Sequence, residues 1–335
     1  MSETTNIAAI SEKISTKLFN VFGWNQFGPT NFNFKKDSIP GAVTRGKYPC
    51  DVIFGYEDPY LKIPVYLLTD LKSYGKSTLE NKSRVKGAIT SLGYSLLAAQ
   101  NSSEFNNYLP DSSGRKSGLL FIYNHDREFD YDFPKYIKLA KPTPLEIPMK
   151  SSVFVIGPPQ IEFLLNVYND LEKVFGSGTN MNGMFRFHYP NMIANIPDKN
   201  EWKSATIEML LSAIIPVVYD RVSEIDGVTK EKKFINLYYR ESGASYEEFC
   251  FIFDYLFRYN VIDDWASISI RMANRDPQCS FEFSKAKDEF SRHFYIQDGM
   301  MSKLDQIQLE PIPSATYDYN EFEIGMEKRK EFANV

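Results

Sequence analysis

The stretch that decides the fold of the first half runs from Pro49-Cys50-Asp51 to Asp70-Leu71-Lys72. Asp51 opens one apolar run, and a second apolar run leads directly into Asp70. A turn-rich segment, 55–59, separates the two runs, so the pattern predicts a β-hairpin. Because side chains alternate between the faces of a strand, Asp70 and Lys72 share one face, and Leu71 offers its carbonyl oxygen.

Two aspartates and a lysine at the end of such a hairpin suit metal-dependent hydrolysis of a phosphodiester. Hard divalent cations bind carboxylate, carbonyl and water oxygens, so Asp51, Asp70 and the main-chain carbonyl of Leu71 are candidate metal ligands. Lys72 would orient the attacking water and offset negative charge in the transition state. The structural alternative is a polar hairpin edge where Asp70 pairs with Lys72. We favour the catalytic interpretation, because an unpartnered charge at the end of so apolar a strand is costly.

These residues resemble the signature of the PD-(D/E)xK nuclease superfamily, with Asp51 and Asp70 at the two acidic positions and Lys72 at the lysine. One departure is Cys50, which separates the proline from the aspartate, although the chemistry does not require the proline. The resemblance implies a restriction-endonuclease-like α/β/α core and an endonuclease that uses Mg²⁺ or Mn²⁺. It implies nucleic acid as substrate, with DNA favoured over RNA. Similarity to prokaryotic defence nucleases further implies that a partner controls the activity.

The segments around the hairpin follow the order of the family core, which is helix, hairpin, helix and strand. Family members often place a glutamate on the helix before the hairpin, and Glu12 is the candidate for this further metal ligand. Its helix carries apolar residues at helical spacing, and so does the segment 81–100 after the hairpin. The apolar run 118–123 then predicts the next strand.

Gly75-Lys76-Ser77 matches the end of a phosphate-binding P-loop, which makes nucleotide hydrolysis a third candidate function. A P-loop also needs a glycine where this chain has Asp70, whose charge would repel a phosphate. We therefore expect a loop that enters a helix, with Ser77 or Thr78 as the N-cap.

Basic residues crowd the same region of a chain whose formal net charge is −5. The overall charge argues against wholesale coating of nucleic acid, so any contact is confined to a patch. A solvated helix face is the structural alternative to a phosphate-binding strip. The residues expected to bind nucleic acid are Lys76, Lys82, Arg84 and Lys86.

The composition indicates a folded protein of one large or two ordinary domains, since 43% of its 335 residues are hydrophobic. The three cysteines, Cys50, Cys250 and Cys279, lack the spacing of a zinc site or a disulfide framework. No apolar run approaches the length of a membrane span, and the N-terminus lacks a signal-peptide pattern. We therefore expect a cytoplasmic protein without a membrane partner.

The second half has its own succession of predicted elements after a small-residue stretch at Gly176 to Asn180. The order βαββαβ predicts a ferredoxin-like α+β domain, which fits assembly or recognition. We expect a nuclease-like domain over 1–178, the ferredoxin-like domain over 180–300 and an acidic tail over 301–335. The second half would form a homo-oligomer or bind a partner protein. A non-catalytic nucleic-acid-binding or adaptor subunit on the same fold is the rival to the nuclease.

Overall fold

The computed structural model describes residues 3–35, 47–100, 102–176, 181, 183–190, 201–225, 228–259, 261–264, 267–294 and 298–314. The chain forms two compact units, and the division between them falls between Leu164 and Leu165. No helix in these ranges is long and apolar enough to cross a membrane.

The first unit is built around an antiparallel hairpin that is extended by parallel strands. Its elements, in chain order, are α1 (Glu3–Val21), β1 (Asn25–Phe27), β2 (Phe32–Lys35), β3 (Lys47–Cys50), β4 (Val52–Glu57), β5 (Pro64–Tyr74), α2 (Lys76–Glu80), α3 (Lys82–Gln100), α4 (Ser103–Asn106), β6 (Arg115–Asn124), α5 (Phe133–Ala140) and β7 (Val153–Ile156). The main sheet has the order β1-β4-β5-β6-β7, and β2 and β3 form a separate pair. Strand β4 is antiparallel to both of its neighbours, β1 and β5. Strand β6 is parallel to both of its neighbours, β5 and β7.

Helices cover both faces of this sheet, which gives the α/β/α core expected from the sequence. Phe19 of α1 packs edge-on against Phe54 and Phe121, with ring centroids 4.8 and 5.7 Å away. On the other face, Ile89 and Leu92 of α3 are buried in one core with Tyr66, Leu68 and Leu120 of the sheet. The predicted order of helix, hairpin, helix and strand is therefore present in the first unit.

The second unit contains a longer hairpin followed by helices and two parallel strands. Its elements are α6 (Pro158–Phe175), which spans the division, then β8 (Arg186–His188), β9 (Glu201–Trp202), α7 (Ile207–Leu211), β10 (Ile214–Ile225), β11 (Val228–Tyr239), α8 (Tyr246–Arg258), α9 (Val261–Asp264), β12 (Ser267–Met272), α10 (Cys279–Phe294), α11 (Asp298–Gln306) and β13 (Gln308–Pro311). The sheet order is β13-β12-β11-β10-β8-β9.

This order does not agree with the predicted ferredoxin-like domain. In that fold, each crossover helix joins strands that are separated by another strand, the split βαβ arrangement. Here β11 and β12, which α8 connects, pair directly and in parallel, and β8 pairs directly with β10. Between β8 and β10 the described chain forms the two-residue strand β9 and the short helix α7. The prediction of a ferredoxin-like domain was wrong because the order of elements along the chain does not specify which strands pair.

The unit boundaries also differ from the expected domains. The stretch 177–180 lies outside the described residues, and the division comes before it because α6 contributes to the second unit. Asp170 of this helix accepts a hydrogen bond from the hydroxyl of Tyr238 on β11, 2.8 Å away. The expected tail over 301–335 is not one segment, since α11 and β13 pack within the second sheet. Residues 315–335 lie outside the described part of the chain.

Candidate active site

Asp51 lies at the junction between β3 and β4, where main-chain hydrogen bonds fix its position. Its N–H donates to the carbonyl of Thr69, 3.1 Å away, and its carbonyl accepts from the N–H of Asn31, 2.7 Å away. One carboxylate oxygen, Oδ2, accepts a hydrogen bond of 2.7 Å from the N–H of Leu71. The hairpin thus holds the Asp51 carboxylate against the strand that carries Asp70.

Buried Asp70 and half-buried Lys72 form an ion pair at the end of β5. Asp70 is 8% exposed, and the ammonium of Lys72 contacts its Oδ1. Burial raises the pKa of Asp70 to about 6; Lys72 opposes this shift, and the neighbouring charge of Asp51 adds to it. Burial alone would lower the pKa of Lys72, but contact with Asp70 and the charge of Asp51 outweigh it, so the pKa is raised. Two carboxylates therefore share a poorly solvated site with one ammonium.

A cavity of about 180 Å³ opens beside this pair. It brings together four residues that the sequence singled out, which are Glu12, Asp51, Leu71 and Lys72. Asp70 does not line the cavity itself, but its carboxylate holds the lysine that does. The contact between Asp70 and Lys72 is the pairing named above as the structural alternative, and Leu71 lines the same cavity as Lys72.

Polar residues that the sequence reasoning missed also line the cavity. They are Thr16, Gln26, Thr30 and Asn31. Thr16 lies four residues after Glu12 on α1, so it faces the same side of the helix. This spacing could have indicated that Thr16 lines the site together with Glu12. The other three lie in the connection from α1 to β2, which has no periodic pattern.

A family model described as the GAPS4 protein PD-(D/E)XK nuclease domain matches residues 1–160. The N-terminal domain belongs to the PD-(D/E)xK nuclease superfamily. The matched range ends just before the division between the two units. A comparison with curated proteins finds no match. The PD-(D/E)xK match implies a nucleic acid substrate, and nucleases of this superfamily generally use divalent metal ions.

The donor atoms of this nuclease domain fit such an ion. Asp51, Asp70 and the Leu71 carbonyl supply the oxygen ligands that hard divalent cations prefer. Burial and the charge of Asp51 both raise the pKa of Asp70, because they disfavour a second negative charge at this place. A bound cation would offset that charge. Within the described ranges, no three acidic, histidine or cysteine side chains lie close enough to hold a metal alone. Two aspartates and one carbonyl are thus the candidate donors, and Glu12 lines the same cavity as Asp51 and Leu71.

The expected nucleic-acid-binding residues of the nuclease domain do not form one strip. Lys76 is committed elsewhere, since its ammonium lies 3.2 Å from Asp130 and over the ring of Tyr131. The other three expected residues are Lys82, Arg84 and Lys86, which we call the α3 cations. They lie in the first turns of α3, are exposed, and form no ion pair among the described residues. Burial raises the pKa of Tyr74 at the end of β5, and the positive charges of Lys72 and Arg84 oppose that shift.

The Gly75-Lys76-Ser77 segment is a helix entry, as expected, but its N-cap is Gly75 instead of Ser77 or Thr78. The N–H of Lys76 donates to the carboxylate of Asp126, 2.7 Å away. A phosphate at this helix start would meet a negative charge, which argues against nucleotide hydrolysis.

Proposed function

We propose that the nuclease domain is a Mg²⁺-dependent endonuclease in which Asp51, Asp70 and Lys72 are the catalytic residues. The observation that carries the proposal is the cavity that Asp51, Leu71 and Lys72 line together, within a domain of the nuclease superfamily. Asp51, Asp70 and the Leu71 carbonyl would hold the ion, with Glu12 as a further ligand directly or through water. Mn²⁺ has the same donor preference and is expected to substitute.

The ion, when bound, would polarise the scissile phosphate and acidify a water molecule. The residues of the chain do the rest. The hydrogen bond from Leu71 N–H fixes the Asp51 carboxylate, so little reorganisation precedes reaction. Contact with Asp70 keeps Lys72 ordered and charged at the cavity wall. From there its ammonium can orient the attacking water and stabilise negative charge on the phosphoryl oxygens.

We propose DNA as the substrate, bound through the α3 cations. All three are exposed in the first turns of α3 and would contact the phosphate backbone there. Lys76 would contribute only if its pairing with Asp130 opened. The resemblance to prokaryotic defence nucleases supports a cytoplasmic protein whose cleavage is controlled by a partner or by assembly through the second unit.

The rival function is a nucleic-acid-binding or adaptor subunit that keeps the fold without cleavage. The ion pair of Asp70 with Lys72 is compatible with both functions. A cleavage assay therefore distinguishes the nuclease from the non-catalytic subunit. The test is cleavage of single- and double-stranded DNA and RNA with Mg²⁺ or Mn²⁺, using the wild-type protein and Asp70→Asn. Glu104→Gln, an exposed change on α4 outside the cavity, is the matched control.

We expect metal-dependent cleavage by the wild-type and control proteins and none by Asp70→Asn. Binding without cleavage under every condition would support the adaptor. Equal cleavage by a folded Asp70→Asn protein would remove the proposed site.

A further inference from the structure

The two units share one strand order. In the first sheet the order is β1-β4-β5-β6-β7, and in the second it is β8-β10-β11-β12-β13, with β9 added at the edge. In both, the first three strands are antiparallel and the last three are parallel. A long helix precedes each set of strands, α1 in one and α6 in the other. A second long helix, α3 or α8, joins the hairpin to the first parallel strand.

The faces of the two sheets correspond as well. Leu68 of β5 is buried with α3, as Leu237 of β11 is buried with α8. On the opposite face, Phe19 of α1 packs on the first sheet, and Asp170 of α6 bonds to Tyr238 of the second. The two sheets thus agree in strand order, strand direction and the faces that their helices cover. This agreement identifies a fold more reliably than the succession of elements along the chain, which suggested a ferredoxin-like domain.

We propose that the second unit is a second copy of the nuclease core that has lost its metal site. The proposal rests on the proposed function for the identity of the metal-binding residues. In the first sheet Asp70 pairs with Leu120, which pairs with Val155. In the second, the triple on the corresponding face is Leu237, Ile270 and Leu309.

When β5 is aligned with β11 by these triples, Asp70 corresponds to Leu237. If the alignment is shifted by two residues along the strand, Asp70 corresponds to Tyr239. Both residues are buried in the apolar core. The residues that pair with them on β10 are Pro216 and Ile214, where the first sheet has Asp51 just before Val52. In neither match do the described residues of β10 and β11 place a carboxylate where the first sheet has Asp51 and Asp70, so a hard cation lacks these two ligands there.

Two acids that contact the second sheet, Asp170 of α6 and Glu310 of β13, are both paired with one arginine. The Nε of Arg271 on β12 lies 3.0 Å from the Asp170 carboxylate, and its Nη2 lies 3.0 Å from Glu310 on β13. Tyr238 donates a further hydrogen bond to Asp170. A guanidinium supplies the positive charge in this buried network, which therefore needs no metal ion.

The helix that corresponds to α3 has the opposite charge at its start. The first turns of α3 carry the α3 cations and its first turn has no acid, whereas Glu247 and Glu248 lie in the first turn of α8. A phosphate backbone would be attracted to the first helix and repelled by the second. The described residues then hold one cleavage centre, so each turnover of one chain cuts one strand.

A crystal structure of the full chain soaked in MnCl₂, with anomalous difference maps, tests this inference. We expect the same strand order in both sheets, a Mn²⁺ peak at Asp51 and Asp70, and no peak at the ends of β10 and β11. Asp70→Asn should remove the peak and all metal-dependent cleavage.

A second peak near Leu237 or Tyr239, a different strand order in the second sheet, or residual metal-dependent cleavage by Asp70→Asn would overturn the inference. Absence of Mn²⁺ from both sheets, with the two strand orders equal, would contradict the proposed nuclease function. That outcome would still support a second core without a metal site.

Discussion

The buried carboxyl of Asp70 should make the stability of the metal-free first unit fall as pH rises. Its pKa is raised from the ordinary value of 3.8 to about 6 in the folded protein. Between these values the folded state binds more protons than the unfolded state, so the free energy of unfolding decreases with pH. The stability is greatest below the unfolded pKa and is lost as pH rises through the folded one.

The size of this effect follows from the shift. A difference of roughly two pKa units corresponds to about 3 kcal/mol of unfolding free energy lost between pH 4 and pH 7.5. The Asp70 side chain is only 12% exposed, so solvent screening reduces this little. Asp70→Asn cannot ionise, and its pH dependence should be flatter than that of the wild type by the same amount. Mg²⁺ at a hundred times its dissociation constant should restore about 2.7 kcal/mol to the wild type at pH 7.5.

Urea denaturation in EDTA at several pH values, followed by tryptophan fluorescence, gives the measurement. The chain has three tryptophans, and replacing Trp202 and Trp265 with phenylalanine leaves Trp24 as the reporter. Trp24 is buried in the first unit, where its ring stacks on Phe19 at 4.5 Å. Glu104→Gln is the control and should keep the pH dependence of the wild type. Parallel curves for wild type and Asp70→Asn would refute the account of a desolvated carboxylate pair.

Four further sets of changes probe other parts of the site. Lys72→Met should lower the single-turnover cleavage rate by about 10²-fold or more, because it removes the cation that stabilises the transition state; wild-type rates would exclude that role. Changing each of the α3 cations to glutamine should flatten the plot of log affinity against log salt by about 0.9 for duplex DNA. Lys76→Gln should change this slope less, because Lys76 is paired with Asp130; an equal change would show that the pair opens on binding. Asn31 has a φ of 56°, so Asn31→Gly should keep the fold and Asn31→Val should lower the unfolding free energy by about 1–3 kcal/mol, measured by urea denaturation.

The hairpin that carries Asp51, Asp70 and Lys72 could be predicted because its signal is local. The alternation along 64–72 places Asp70 and Lys72 on one face whatever the rest of the chain does. Glu12 could be proposed only through the family resemblance, and the structure places it at the same cavity. Asn31 could not be found, since it reaches the cavity through a left-handed turn that bonds to Asp51. The pairing state of Lys76 depends on Asp130, which lies far away in sequence.

The second half shows where sequence patterns stop specifying a fold. The pattern predicted a succession of strands and helices in this half, but the arrangement of its sheet depends on long-range pairing. The strand β13 lies in a segment rich in acids and proline that resembled a tail, yet Leu309 pairs with Ile270 inside the sheet. Four residues of parallel pairing leave little periodicity to detect.

The most direct test of the nuclease site is single-turnover cleavage by Asp51→Asn, Asp70→Asn, Lys72→Met and the Asp51→Asn/Asp70→Asn double variant, each at saturating Mg²⁺. Residues that act as one unit are not additive. We therefore expect each single variant to be about as inactive as the double variant, while folding and the Glu104→Gln control remain normal. A folded Asp51→Asn or Asp70→Asn protein that cleaves at close to the wild-type rate would contradict the assignment of this cavity as the active site.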